Sequence, residues 1–160
     1  MMIAALILAM GLQADFVPNA TLPKKNVYGG CGGANVSPTL RWYGAPAGTR
    51  SFALTVFDPD APHAGGWWHW IAYDIPSGVR GLPAGSGSPG SANAGTFGKN
   101  DFGDANYDGP CPPPGKPHRY VFTIYALNVG HLAIPNGAAV ETMLRGHVLA
   151  RAQIVGRYGR

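Results

Sequence analysis

Three blocks of this chain are apolar on both of their faces. Ser51 to Phe57 sets Phe52, Leu54 and Val56 against Ala53, Thr55 and Phe57, and Trp68 to Ile75 and Tyr120 to Leu127 have the same character. Such runs predict strands buried on both sides, in the middle of a sheet. Thr39 to Tyr43 is a shorter strand with Leu40 and Trp42 on one face, and Pro46-Ala47-Gly48 supplies a turn after it. From Ala138 to Val155 the pattern changes to helical spacing, through Val140, Leu144, Val148, Ile154 and Val155. Pro135-Asn136-Gly137 leads into that segment, and Glu141 can pair with Arg145 at i,i+4. Gly146 is a point where the helix can break. The prediction is a mostly β domain with one C-terminal helical segment.

The connections are long. Asp15 to Ser37 reads as an irregular arm, and Pro76 to Pro117 is thick with Gly, Pro, Ser and Asn. Structureless loops of that length are uncommon in compact domains unless they carry function. Phe97, Phe102 and Tyr107 predict that part of this one is pinned down. Gly85-Ser-Gly87-Ser-Pro-Gly90 has the G-x-G-x-x-G form but neither a strand before it nor a helix after it, so it reads as a flexible loop.

Composition sharpens this picture. The chain has 160 residues, enough for one domain with a real core. It is 46% apolar and only 12% charged, against a usual charged share of roughly 25%. The 24 Gly and 15 Pro predict abundant loops, while 11% aromatic residues argue for a packed interior. A net charge of +4, with Arg145, Arg151, Arg157 and Arg160 near the C-terminus, forms no dense basic block. Nucleic-acid binding is therefore not expected.

Met1 to Ala14 carries no charge, and its apolar run from Ile3 to Met10 has the length of a signal-peptide core, too short to span a bilayer. The expectation is a signal peptide ending at Ala14, a single domain from Asp15 to Arg160, and a periplasmic or secreted protein without stable membrane insertion. An N-terminal strand or buried arm is the other reading of that stretch. In an oxidising compartment Cys31 and Cys111, each among Gly or Pro, are expected to form a disulfide. Two free thiols are the alternative.

The ionisable residues fall where strands begin or end. Asp58-Pro-Asp60-Ala-Pro62 ends the first block, Trp67-Trp68-His69-Trp70 opens the second and Pro117-His118-Arg119-Tyr120 opens the third. In an antiparallel sheet these ends share one edge. Asp58, His69 and His118 then converge on a pocket walled by Trp67, Trp70, Pro62 and Pro112. Each residue also has a bland reading. The Asp-Pro segment is turn chemistry, His118 can be a surface residue, and His69 falls on the face of Ile71, Tyr73 and Ile75, where a core histidine also belongs. Convergence is what favours a site. Two imidazoles, a carboxylate and freed backbone amides suit an oxyanion such as phosphate, with a nearby Asp favouring imidazolium. A tryptophan face could take an ammonium on the same ligand. Two His and two Asp are also metal-ligand types, but no H-E-x-x-H or similar spacing supports them, and neither a metal nor a cofactor is expected. There is no G-x-S-x-G elbow and no P-loop.

These stretches resemble the phosphatidylethanolamine-binding protein family, and its bacterial Raf-kinase-inhibitor-like branch in particular. Gly109-Pro-Cys111-Pro-Pro, Cys31-Gly-Gly-Ala-Asn35-Val-Ser37-Pro38 and Asn100-Asp101-Phe102-Gly103 extend the likeness from about Cys31 to Leu127. The resemblance implies a β-sandwich-like fold of one large and one small sheet with a C-terminal helix, and a shallow anion pocket at one end. It implies Asp58, Asp60, His69, His118 and Tyr120 as ligand-binding residues, with the backbone near Cys111, and a cis peptide before Pro62. Cys111 stands where animal relatives carry Gly. The function expected is a non-catalytic, exported binder of phosphate or a phospholipid head group. An inhibitor or signalling module acting through a protein partner, in protease or kinase-pathway regulation, is the second reading. A hydrolase using His69 or His118 as general base with Asp58 is the third.

Overall fold

The structure is a computed structural model that describes residues 9–160. The described residues form strands β1 (Gly11–Ala14), β2 (Leu40–Tyr43), β3 (Ser51–Asp58), β4 (Trp67–Pro76), β5 (Gly81–Leu82), β6 (Thr96–Phe97), β7 (His118–Leu127) and β8 (Val148–Tyr158), with one short helix α1 (Val140–Leu144). A large sheet runs β6-β4-β3-β7-β8 and a small one β1-β2-β5, every pairing antiparallel. The three doubly apolar blocks are its three central strands, as their pattern requires.

The small sheet covers one face of the large one. Leu12, Leu40 and Trp42 pack with Phe52, Leu54, Val56, Trp70, Phe122 and Ile124 in the core between them. Phe16 lies 5.3 Å from Phe122 and Trp42 5.5 Å from Phe52, ring centre to ring centre. A smaller cluster on the opposite face gathers Ala53, Ile71, Leu127, Ile134, Val140 and Leu144 beneath α1.

Two expectations change here. The helical stripe to Val155 stops at Leu144, and Val148 to Tyr158 is instead the edge strand β8. Gly146, at φ +80°, turns the chain back. Beyond it burial follows period two, with Ala152, Ile154 and Gly156 inward and Arg151, Gln153 and Arg157 outward. Of the expected helix only the turn at α1 forms, with Val140 and Leu144 buried and Glu141 paired to Arg145 at 3.3 Å. The Gly85–Gly90 loop is not loose either. Gly87 N–H donates to Ser37 Oγ at 2.8 Å, Tyr107 N–H donates to Gly87 O, and a Cβ at Gly87 would collide with Tyr107 and Ser37.

Of the expected leader, residues 1–8 lie outside the described residues. Gly11 to Ala14 is paired strand, with Leu12 buried opposite Trp42.

Candidate functional site

The end of β3 and the starts of β4 and β7 meet at one edge, because β3 pairs antiparallel with both neighbours. A cavity of about 270 Å³ opens there, lined by Asp58, His69, His118 and Tyr120 between walls that include Pro62, Trp67, Phe102, Cys111 and Pro112.

Asp58 is buried with both carboxylate oxygens engaged. His118 Nδ1 lies 2.8 Å from Oδ2, and Oδ1 accepts the Asp60 N–H at 2.8 Å. That second bond is an Asx-type turn, in which an Asp side chain replaces a backbone acceptor two residues on. It bends the chain without a cis bond: every peptide among the described residues is trans, the one before Pro62 included.

His69 reaches the cavity through a bulge. The register slips between Val56/Trp70 and Phe57/Trp68, so two β4 residues oppose one of β3. A second slip between Phe52/Ile75 and Leu54/Ala72 moves Ile75 onto the face of Trp70 and Ala72, away from Ile71. Strict alternation along β4 therefore fails twice, and His69 is a wall of the cavity instead of a core residue beside Ile71. Its Nδ1 meets the Asp108 carbonyl oxygen at 2.7 Å. A carbonyl only accepts, so Nδ1 carries the proton and Nε2 is the ring's remaining polar atom. Burial holds the His69 pKa below its ordinary value, partly opposed by the bond to Asp108.

The loop that receives His69 is itself built on a buried amide network. Asn100 Nδ2 donates to Asp108 Oδ2 at 2.7 Å and Asn35 Nδ2 to Asp108 Oδ1 at 3.1 Å, while Asn35 Oδ1 accepts the Gly109 N–H at 2.8 Å. Asp108 N–H donates in turn to His69 O at 3.0 Å. Cys31 and Cys111 are disulfide-bonded, with Cα atoms 5.6 Å apart, tying the arm that carries Asn35 to the cavity wall.

Tyr120 is the third polar group. His69 rests edge-on against its ring at 5.1 Å and against Phe102 at 5.5 Å. The Tyr120 hydroxyl is buried and has no hydrogen-bond partner among the described residues, and Trp67 Nε1 shares that condition. Burial, then the Asp58 charge, pushes the Tyr120 pKa far up, so the phenol keeps its proton.

Two expected residues lie elsewhere. Asp60 points outward, where the Arg119 fork holds it through Nε at 3.0 Å and Nη2 at 2.8 Å, aided by the Arg119 N–H at 2.9 Å. Those bonds bring the Asp60 pKa down to about 2. The Asp58 Asx turn separates the two carboxylates, leaving Asp60 outside the cavity. Trp70 is fully buried in the inter-sheet core, against Phe97 and Tyr107 at 5.8 Å each, on the same face as Tyr120 but outside the cavity lining. Sequence reasoning also passed over residues. His63 follows Pro62 directly and lines the cavity beside Trp67, to which it stands edge-on at 5.3 Å. Phe102 and Asn100 belong to a motif already marked by resemblance. Asp108 carried no signal beyond its place two residues before Pro110.

Comparison with known proteins decides the kinship. The phosphatidylethanolamine-binding protein family model matches residues 13–159. The chain belongs to the phosphatidylethanolamine-binding protein family. Among its relatives, Escherichia coli YbhB, a UPF0098 protein, is 42% identical over 92% of this chain and 98% of its own. The crystal structure of E. coli YbcL, described as a new member of the mammalian PEBP family, superposes with TM-score 0.90 at 38% identity, covering 96% of this chain and 99% of YbcL. A PEBP homolog from Chlamydia trachomatis superposes at TM-score 0.80 and 33% identity, over 95% of this chain and 98% of its own. The bacterial branch indicated by Cys31 to Pro38 and by Asn100 to Gly103 is therefore the right one. The two-sheet PEBP fold is present with its C-terminal helix cut to α1.

Proposed function

We propose that this PEBP-family protein binds a small phosphate-bearing ligand in the cavity at Asp58, His69, His118 and Tyr120, and that it does so without chemistry. The observation that carries the reading is the buried, unpartnered Tyr120 hydroxyl beside His69, whose Nδ1 is already committed. Leaving such a donor unsatisfied costs about 1–3 kcal/mol, a cost that an anion's oxygen would remove. The volume, about 270 Å³, lies just below the roughly 300–1,000 Å³ of drug-sized pockets and suits a head group.

The ligand's protonation follows from the two imidazoles. His69 is neutral near pH 7 and offers Nε2 as an acceptor. It therefore takes a hydrogen bond from a P–OH, which a singly protonated phosphate monoester has. Tyr120 donates to another oxygen. His118 keeps its Nδ1 on Asp58 Oδ2 at 2.8 Å, which leaves Nε2 as its remaining polar atom. In place of two imidazolium donors, the cavity offers an acceptor at His69 and a donor at Tyr120. Affinity for a phosphomonoester falls as pH rises and the ligand loses its last proton.

Export belongs to the same reading. Its supports are the disulfide, which oxidising compartments favour, and the apolar run Ile3 to Met10. Because Gly11 to Ala14 is a strand of the small sheet, processing falls ahead of Gly11, which an intact-mass measurement of the mature protein checks.

The binding test is a two-dimensional NMR titration with inorganic phosphate and phosphoethanolamine, for wild type and Tyr120→Phe. Shifts centred on His69, His118 and Tyr120, and weakened in the variant, are expected. No shift at millimolar ligand would overturn the anion pocket and send the search to protein partners.

A further inference from the structure

A second groove, of about 490 Å³, adjoins the cavity, and Pro113 and His118 line both. Its charged lining is Lys116, Arg119 and Arg157 against Asp60, an excess of two positive charges. Arg119 and Arg157 are direct cross-strand partners in the β7–β8 pair. Like charges in that position are destabilising, and Asp60 engages only Arg119. Arg157 is nonetheless held in place, its main chain bonded to Ala20 and Leu22 at 2.9 and 2.8 Å. Lys116 and Arg157 are both exposed, and no acidic side chain pairs with either among the described residues. The fold thus keeps uncompensated cations against one lip of a cavity that already suits an anion.

We infer that the ligand carries a second acidic group, a carboxylate or a second phosphate, which extends from the cavity past His118 into this groove and is held there by Lys116 and Arg157. The inference rests on the phosphate reading of the cavity and narrows its ligand class. An ammonium-bearing head group would turn its cation toward an excess of positive charge, so ethanolamine is the poorer extension.

Glycerol 3-phosphate and 3-phosphoglycerate make a matched pair, since they differ only in a CH₂OH replaced by a carboxylate. NMR titration at low salt should give 3-phosphoglycerate an affinity advantage on the order of tenfold, the scale of a charge-assisted bond at a solvated site. Lys116→Gln/Arg157→Gln should abolish that advantage while glycerol 3-phosphate still binds, and added salt should shrink it. Dihexanoyl phosphatidylserine against dihexanoyl phosphatidylethanolamine makes the comparison on a phosphodiester, which has no P–OH for His69 and so tests the groove without that bond. Whichever acidic ligand binds tighter tells a lipid head group from a soluble phosphate. Equal affinity within both pairs, tightest binding of phosphoethanolamine, or an advantage that survives the double variant would overturn the inference with the phosphate pocket intact. Failure of every phosphate to bind would overturn both.

Discussion

Asp58 and Asp60 stand two residues apart on one turn, yet the regions on either side of it obey different physics. On the inner side Asp58, His118, His69 and Asp108 are buried, each held by a hydrogen bond to another segment. On the outer side Asp60 and Arg119 form a well-shaped ion pair in contact with water, with side chains 31% and 47% exposed. Buried polar networks penalise any broken member, whereas exposed pairs are screened and contribute little. Geometry that looks equally good on both sides is therefore expected to matter on one.

The strongest test of that asymmetry is the covalent tie of the inner side. Cys31→Ser/Cys111→Ser opens a link across a sequence separation of 80, and the chain-entropy account puts the loss at about 4–5 kcal/mol. Urea unfolding with and without reductant measures it. A loss below about 1 kcal/mol would mean that the Asn35–Asp108 bonds already hold the loop.

Asp108→Ala removes a buried acceptor shared by Asn100 and Asn35 and leaves their amides only the carbonyl oxygens of His69, Asn106 and Tyr107. It should cost about 3 kcal/mol in the same unfolding experiment. A near-neutral result would break the claim that the inner side is the costly one.

Tyr120→Phe separates stability from binding. It removes a buried hydroxyl that has no partner among the described residues, so stability should stay level or rise by up to about 1 kcal/mol. Phosphate affinity should drop about tenfold. A comparable loss of stability would show instead that the hydroxyl has a structural partner.

Acid unfolding puts both regions in one titration, with the smallest effects. His69 has its pKa lowered by burial, so its neutral form is the folded one. That contribution is complete above the unfolded value of 6.5 and is lost as pH falls below it. Asp60 is lowered from 3.8 to about 2, so its contribution is present above 3.8 and disappears as pH falls toward 2. Screening keeps this second step shallow. Asp60→Asn should flatten it alone, and His69→Gln should flatten the first.

Much of this was legible without coordinates. Three blocks apolar on both faces can be satisfied only by burial on both sides, which made β3, β4 and β7 central and carried Asp58, His69 and His118 to one edge. The Cys31–Cys111 pairing followed from an even count in suitable surroundings. What was not legible depended on contacts between distant segments. The bulge at His69 answers a mismatch between β3 and β4 that no single run displays. Val148 to Val155 fits a helix and an edge strand equally well by its apolar spacing, and the open edge of β7 beyond the turn at Gly146 settled it. The inward turn of Asp58 and the outward turn of Asp60 were decided by which partner each found, His118 or Arg119. Asp108, unremarkable in the sequence, became the anchor of the site because its buried carboxylate accepts from Asn35 and Asn100, separated from it by 73 and 8 residues. Periodicity is a local property and sets the elements. The partner of a buried polar group is a property of the whole fold.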